Sequence, residues 1–250
     1  MERDLAWEGC HNVRDLGGLP AANGRRTRWG AVVRADTPDR LTPAGWESAA
    51  AHGVRTVLDL RAPGEHRAEP GLRPPGMTVV NVPLNDRDGG ARGTPLYLRS
   101  YLERHPDRCA RALRVIAQAP PGGVLVHCVA GRDRTGLIAL LLLSLAGVAP
   151  VHALEDYERS ETRLSPLYAL LGQPDDALRV RARLEAAGTT ASEVVLALLA
   201  DLDAEARLTA GGLSPSELAA LRERLTVVDE GGSQDAGVVV AMEDGSGAAR

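Results

Sequence analysis

The chain has 250 residues, of which 44% are hydrophobic and 25% are charged, and its net charge at pH 7 is −4. This length suits one large domain or two small ones. The negative net charge argues against nucleic-acid binding, which requires a basic face.

Neither secretion nor membrane insertion is indicated by the sequence. The N-terminus MERDLAWEGC lacks an apolar signal segment, and the apolar stretch at 137–148 is shorter than the roughly 20 residues that span a bilayer. Cys10, Cys109 and Cys128 are too few, and odd in number, for a disulfide framework. We therefore expect a cytoplasmic protein, while secretion by a signal-independent route stays open.

The first 150 residues predict an alternating α/β domain. Residues 9–30 are rich in turn formers and indicate irregular structure with short strands. Strands are predicted at 31–35, 54–60, 77–84 and 124–127, and helices at 41–53, 94–119 and 135–148. The short apolar run at 124–127 is typical of a strand buried on both faces. This order predicts a mixed, partly parallel central sheet flanked by helices.

Beyond Pro150 the pattern is almost purely helical. Helices are predicted at 151–164, 165–171, 175–188, 190–208 and 214–225. The last of these begins at Ser214 with S-P-S-E, a capping box with proline at the first helical position. We expect one domain over residues 1–228, with C-terminal helices at 191–228, and a disordered tail at 229–250, which is rich in Gly, Ser and acidic residues.

The segment LVHCVAGRDRTG, residues 125–136, holds the strongest chemical signal. Its cysteine, Cys128, follows an apolar strand and precedes a glycine-containing loop and a helix. Backbone amides of such a loop, together with the helix N-terminus, form an anion-binding nest that also stabilises a thiolate. Arg134 follows six residues later, and its planar guanidinium can grip two phosphoryl oxygens. The Thr135 hydroxyl can bond the sulfur or cap the helix.

This stretch resembles the H-C-x5-R-[ST]-G signature of cysteine-dependent protein tyrosine phosphatases. Its A-G-R-D-R-T-G portion resembles the bacterial tyrosine and lipid phosphatase branch of that superfamily, as do NVRDLGG at 12–18, VLDLRAPGE at 57–65 and DYERS at 156–160. The resemblance covers roughly residues 8–226 and is loose over the last third. It implies a tyrosine-phosphatase-like fold and hydrolysis of phosphate monoesters through a phosphocysteine intermediate.

The resemblance also assigns roles to residues of the loop. Cys128 would be the nucleophile and Arg134 the phosphate clamp, and no metal or other cofactor is implied. The phosphate, or a sulfate-like anion, would be bound by Val129, Ala130, Gly131, Arg132, Thr135 and Gly136. His127 is expected to support the loop by orienting it. Asp59 and Arg61 lie at the end of a predicted strand and either tie the loop to the sheet edge, which is the interpretation we favour, or contact the substrate.

The general acid is less fully specified by the sequence. The chain has no W-P-D triplet; it has TPD at 37–39, HPD at 105–107 and QPD at 173–175, and the HPD triplet is more typical of a helix start. The resembled branch implies Asp133, inside the signature loop, as the acid. Asp86 and Asp88, just past a predicted strand, are the alternatives.

Arg132 stands where this branch more commonly has lysine, and either cation would attract a multiply charged substrate. We therefore expect a phosphoprotein substrate, with dual-specificity or phosphoinositide activity open. The helical segment 150–190 is either a packing element or a lid over the cleft.

Two other functions stay open: a catalytically weak phosphate-binding module, and a sulfur-transfer or arsenate-reducing cysteine enzyme, for which no nearby resolving cysteine is evident. The loop does not match a nucleotide P-loop, and zinc binding is disfavoured because no second Cys/His pair lies close to His127 and Cys128.

Overall fold

The structure is a computed structural model that describes residues 1–65, 75–85, 93–170, 172 and 174–229. The strands are β1 (Arg14–Asp15), β2 (Pro20–Ala21), β3 (Arg25–Thr27), β4 (Val32–Ala35), β5 (Val54–Asp59), β6 (Thr78–Asn81), β7 (Gly123–His127) and β8 (Thr226–Val228). The helices are α1 (Pro43–Ala51), α2 (Leu96–Arg104), α3 (Pro106–Gln118), α4 (Asp133–Leu145), α5 (Pro150–Leu170), α6 (Asp176–Ala186), α7 (Ala191–Ala200), α8 (Ala204–Ala210) and α9 (Pro215–Leu225).

The central sheet has five strands in the order β1-β4-β7-β5-β6. Four of these strands run parallel, and β1 pairs antiparallel with β4. The predicted mixed, partly parallel sheet is therefore confirmed. The register pairs His127 with both Ala35 and Asp59. Because the carboxyl ends of parallel strands share one edge, the segments that follow these three residues meet there.

Both faces of the sheet are covered, as the apolar strand pattern requires. Side chains alternate between the faces: Val33 and Leu125 join the cluster that contains Trp46 of α1, whereas Val124 and Val126 join the cluster that contains α3 and α4. Helix α4 is buried along nearly its whole length. It therefore forms the centre of the larger core and fixes the position of the loop that precedes it.

Several helix boundaries differ from the sequence prediction. The segments 151–164 and 165–171 were predicted as separate helices, but α5 continues through Pro166, although this proline has no amide to donate within the helix. The segment 190–208 was predicted as one helix but is divided, because the Asp203 side chain accepts the Ala206 amide at 2.9 Å and caps α8 anew.

The predicted capping box at Ser214 is confirmed. The last predicted helix, 214–225, agrees with α9, whereas residues 226–228, which were grouped with the C-terminal helices, form β8; this strand pairs with β3 in a separate sheet ordered β2-β3-β8. In the tail, only Asp229 lies within the described residues; 230–250 lie outside them. Among the described helices, none combines the length and apolar character that crossing a bilayer requires.

Candidate active site

The cysteine loop, residues 128–134, leaves the end of β7 at the carboxyl edge of the sheet and enters the first turn of α4. Gly131 makes the turn possible: its φ is +69°, and a Cβ on it would lie 2.3 Å from the carbonyl oxygen of Ala35. Only glycine accepts both the left-handed backbone and this close approach to the neighbouring strand. The conformation of the loop is thus set by its contact with β4.

Carbonyl groups of the cysteine loop are held from outside. Val129 and Ala130 accept hydrogen bonds of 2.9 Å from the Thr37 amide and the Asn12 side chain, and the carbonyl of Gly131 accepts one of 2.7 Å from Arg34. Within the described residues, the amides of 129–134 have no acceptor on the protein. Amides left free beside a helix N-terminus form a cradle for an anion.

A buried ionic cluster lies beneath this cradle. Asp156 of α5 is fully buried and forms ion pairs with Arg14 at 3.0 Å and Arg34 at 2.6 Å, and a third with Arg3. Burial alone would raise the pKa of the Asp156 carboxyl, but the three guanidinium charges outweigh it and hold the pKa well below its usual range. Burial and repulsion by Arg34 lower the pKa of Arg14 to about 9. The cluster fixes α5 against the loop.

Arg134 projects from the first turn of α4 and is held in a bidentate pair. Its Nη1 and Nη2 atoms donate to the two oxygens of Glu65 at 2.7 and 2.9 Å. Burial would lower the pKa of Arg134, but the neighbouring charges of Cys128 and Glu65 raise it above its ordinary value. Burial would raise the pKa of Glu65, but the bonds from Arg134 lower it instead. Arg134 is therefore a fixed cation beside Cys128, which is 3% exposed.

The supporting residues predicted from the sequence lie together behind the loop. His127 Nδ1 lies 3.0 Å from the carbonyl oxygen of Cys128, and its Nε2 lies 3.8 Å from Asp59. Burial lowers the pKa of His127 to about 4, so the ring is neutral at pH 7 and Nδ1 donates to that carbonyl. Arg61 forms ion pairs with Asp59 and with Asp39, which is the aspartate of the TPD triplet.

Arg132 and Asp133 lie at the other end of the loop. The Asp133 side chain is 19% exposed and accepts from Arg132 Nε at 3.2 Å. Arg132 Nη2 donates to the carbonyl of Gly93 and to Asp176, both at 3.0 Å. Burial would lower the pKa of Arg132, but its acidic neighbours raise it. The alternative acids Asp86 and Asp88 lie outside the described residues.

Two buried hydroxyl groups border the loop. Thr135 Oγ1 and the Tyr157 hydroxyl have no hydrogen-bond partner among the described residues. A Cβ on Gly136 would lie 2.7 Å from the Tyr157 ring, so this glycine lets α5 pack against the first turn of α4. Burial and the charge of Asp133 raise the pKa of Tyr157. In the described part of the chain, no cluster of His, Cys, Asp or Glu is arranged to hold a metal ion.

Sequence reasoning had assigned no site role to several of these residues. The motif stretches quoted above include Asn12, Arg14, Glu65, Asp156 and Tyr157, but no individual role was assigned to them, and residues 9–30 were interpreted as irregular structure with short strands. Arg34 and Asp176 lie outside every motif, and nothing in the sequence pairs them with residues 97 and 44 positions away.

Several known proteins are similar to this chain. A family model described as "Tyrosine phosphatase family" matches residues 5–227. A Cupriavidus necator protein named as a tyrosine-protein phosphatase is 33% identical over 174 residues, which span 64% of this chain and 64% of the relative's length. PtpB of Mycobacterium tuberculosis, named a triple specificity protein phosphatase, is 28% identical over 202 residues, which span 66% of this chain and 72% of that protein. The crystal structure of P. aeruginosa TpbA aligns with 16% identity and a TM-score of 0.40 over 80% of this chain and 98% of TpbA. The family model covers most of the chain, and the chain therefore belongs to the tyrosine phosphatase family.

Proposed function

We propose that this chain hydrolyses phosphate monoesters, phosphotyrosine in proteins first among them, through a phosphocysteine intermediate. One observation carries the proposal: Cys128 lies beside a cradle of amides that have no acceptor within the described part of the protein, and beside Arg134, whose two Nη atoms both donate to Glu65. A phosphoryl group has the charge and the equatorial oxygens that such a cradle and such a guanidinium would bind.

In the first step, the Cys128 sulfur attacks phosphorus and the bond to the leaving oxygen breaks as the S–P bond forms. Arg134 and the amides of 129–134 bind the equatorial oxygens, where the charge of the transition state is spread. In the second step, water attacks phosphorus, the S–P bond breaks, and inorganic phosphate leaves with the thiolate restored. No step requires a metal ion.

We propose Asp133 as the general acid that protonates the leaving oxygen and as the base that then takes a proton from water. It lies one residue from Arg134 on the first turn of α4, and its side chain is partly exposed. The place of Asp133 next to Arg134 and the partial exposure of its side chain support the role, because a general acid must reach the leaving oxygen. Asp133→Asn is expected to reduce the rate chiefly on alkyl phosphates, because their alkoxide leaving groups are poor and depend on protonation. Equal rates for Asp133→Asn and the wild type on those substrates would transfer the role to Asp86 or Asp88.

The substrate range is proposed to extend beyond phosphotyrosine. The mycobacterial relative is named for triple specificity, and Arg132 is a second cation of this loop, although Asp133 and Asp176 offset its charge. Phosphoserine, phosphothreonine and phosphoinositides are therefore further candidate substrates, and the cytoplasm stays the predicted location.

The decisive assay measures phosphate release from an aryl phosphate, a phosphopeptide panel and phosphoinositides, with the wild type and Cys128→Ser in the presence of a metal chelator. We expect turnover by the wild type and none by Cys128→Ser. Turnover that survives in Cys128→Ser would refute the mechanism. Anion binding by the wild type without turnover on any substrate would make the chain a phosphate-binding module instead.

A further inference from the structure

Arg132 is the second cation of the cysteine loop, yet its charge is already offset by carboxylates of the protein. It is 7% exposed and donates to Asp133, to Asp176 and to the carbonyl of Gly93. Two of these acceptors are carboxylates. An additional anion must therefore compete with these carboxylates for the charge of this guanidinium, of which only Nη1 has no acceptor among the described residues.

Asp176 is the acceptor that comes from outside the loop. It is the first residue of α6, and its carboxylate lies between Arg132, at 3.0 Å, and Arg179 Nη2, at 2.8 Å. Gly93 leaves room for this arrangement, since a Cβ on it would lie 2.7 Å from Arg179 Nη2. Asp176 is thus gripped by two arginines at the edge of the candidate active site.

Helix α6 has little apolar anchoring of its own. Only Leu184 among its residues is buried, and Leu178, in the first turn at the active-site end, is 71% exposed. That end is held by polar contacts: the bonds of Asp176, and the side chain of Asp175, which caps the helix and accepts from Ser165 at 2.6 Å. Polar contacts of this kind are exchanged for an incoming anion at lower cost than a packed apolar interface.

We propose that Asp176 is a specificity-determining residue, whose carboxylate occupies Arg132 and so disfavours substrates that carry a second phosphate beside the scissile one. The proposal rests on the proposed function, because it takes the cysteine loop as the phosphate site. A substrate with a single phosphate leaves the pair of Asp176 and Arg132 intact. A second phosphate either breaks this pair, and so only exchanges one ion pair for another, or binds Arg132 Nη1 close to the Asp176 carboxylate, which repels it.

The test uses calorimetric binding of anions that the enzyme does not turn over: orthophosphate, and bisphosphonates with a methylene or a propylene linker, which place the second phosphonate at two distances. For Asp176→Asn, we expect affinity for at least one bisphosphonate to increase about tenfold relative to orthophosphate, as for the release of one charge-assisted pair. The matched control is Asp175→Asn, which removes the same charge from the neighbouring residue and keeps a side chain that can cap α6; its affinity ratio should equal that of the wild type.

A second variant identifies the cation. Adding Arg132→Gln to Asp176→Asn should abolish the gain if Arg132 receives the second phosphonate. An unchanged ratio in Asp176→Asn, an equal gain in Asp175→Asn, or a gain that persists without Arg132 would overturn the inference. If the wild type binds none of the anions, the proposed phosphate site itself is wrong, and the inference fails with it.

Discussion

Glu65→Gln tests whether the bidentate pair with Arg134 serves catalysis. In the wild type, both carboxylate oxygens accept from Arg134, at 2.7 and 2.9 Å. The glutamine keeps one oxygen acceptor but loses the charge and the second acceptor. Arg134 would then donate one hydrogen bond to a neutral amide oxygen and a longer one, 3.4 Å, to the carbonyl of Leu60.

The size of the effect follows from the exposure of the pair. A charge-assisted hydrogen bond contributes about 1.5–3 kcal/mol when it is buried. The Glu65 side chain is 35% exposed, so solvent screening reduces this value. We expect a loss of about 1–2 kcal/mol in transition-state stabilisation, which is roughly a 5- to 30-fold decrease in kcat/KM. Glu65→Ala, which removes both acceptors, should lose more.

The assay is steady-state hydrolysis of an aryl phosphate, with the midpoint of thermal unfolding as a check on folding. The matched control is Glu217→Gln, because Glu217 also accepts from an arginine, Arg114, at 2.7 Å, but lies on α9 outside the site. Glu217→Gln should change stability and leave kcat/KM unaffected. If Glu65→Gln retains wild-type activity, or if both variants lose activity equally, Glu65 does not position Arg134 for catalysis.

Three further predictions concern the residues around the loop. His127 has a pKa of about 4 in the fold and about 6.5 when unfolded, so only the unfolded state gains a proton as pH falls from 6.5 to 4. The free energy of unfolding should therefore fall by up to about 1.4 kcal/mol per pH unit in this window, and urea titrations should show this slope reduced in His127→Asn. Gly131→Ala forces a Cβ to within 2.3 Å of the Ala35 carbonyl oxygen; phosphate binding by calorimetry should be lost together with at least about 1 kcal/mol of stability, and retained affinity would contradict this account of the turn. Asp156→Asn leaves buried arginines without their counterion and should lower the free energy of unfolding by about 3–5 kcal/mol, measured by denaturant titration; a loss below about 1 kcal/mol would mean that those arginines find other partners.

The sheet was predicted from the sequence because its strands have a local signature. The apolar run before Cys128 indicated a strand buried on both faces, and β7 is buried throughout. The helix limits within 150–228 were predicted less well. The boundary predicted between residues 164 and 165 is absent from α5, and Asp203 caps a helix inside a segment whose apolar pattern is continuous. Helix limits depend on caps and packing that apolar periodicity does not record.

The sequence by itself determined the cysteine and the arginine at the centre of the candidate site. Cys128 and Arg134 lie on one loop between a strand and a helix, so their spacing fixes their proximity whatever the remainder of the fold. Tertiary structure alone decided what surrounds them. Glu65 forms an ion pair with Arg134, Arg34 donates to the Gly131 carbonyl, and Asp176 forms an ion pair with Arg132. These contacts join residues 69, 97 and 44 positions apart. Such contacts depend on strand order and helix docking. The apolar periodicity of one segment does not encode these, because periodicity specifies which face of the segment is buried and not which residues that face contacts.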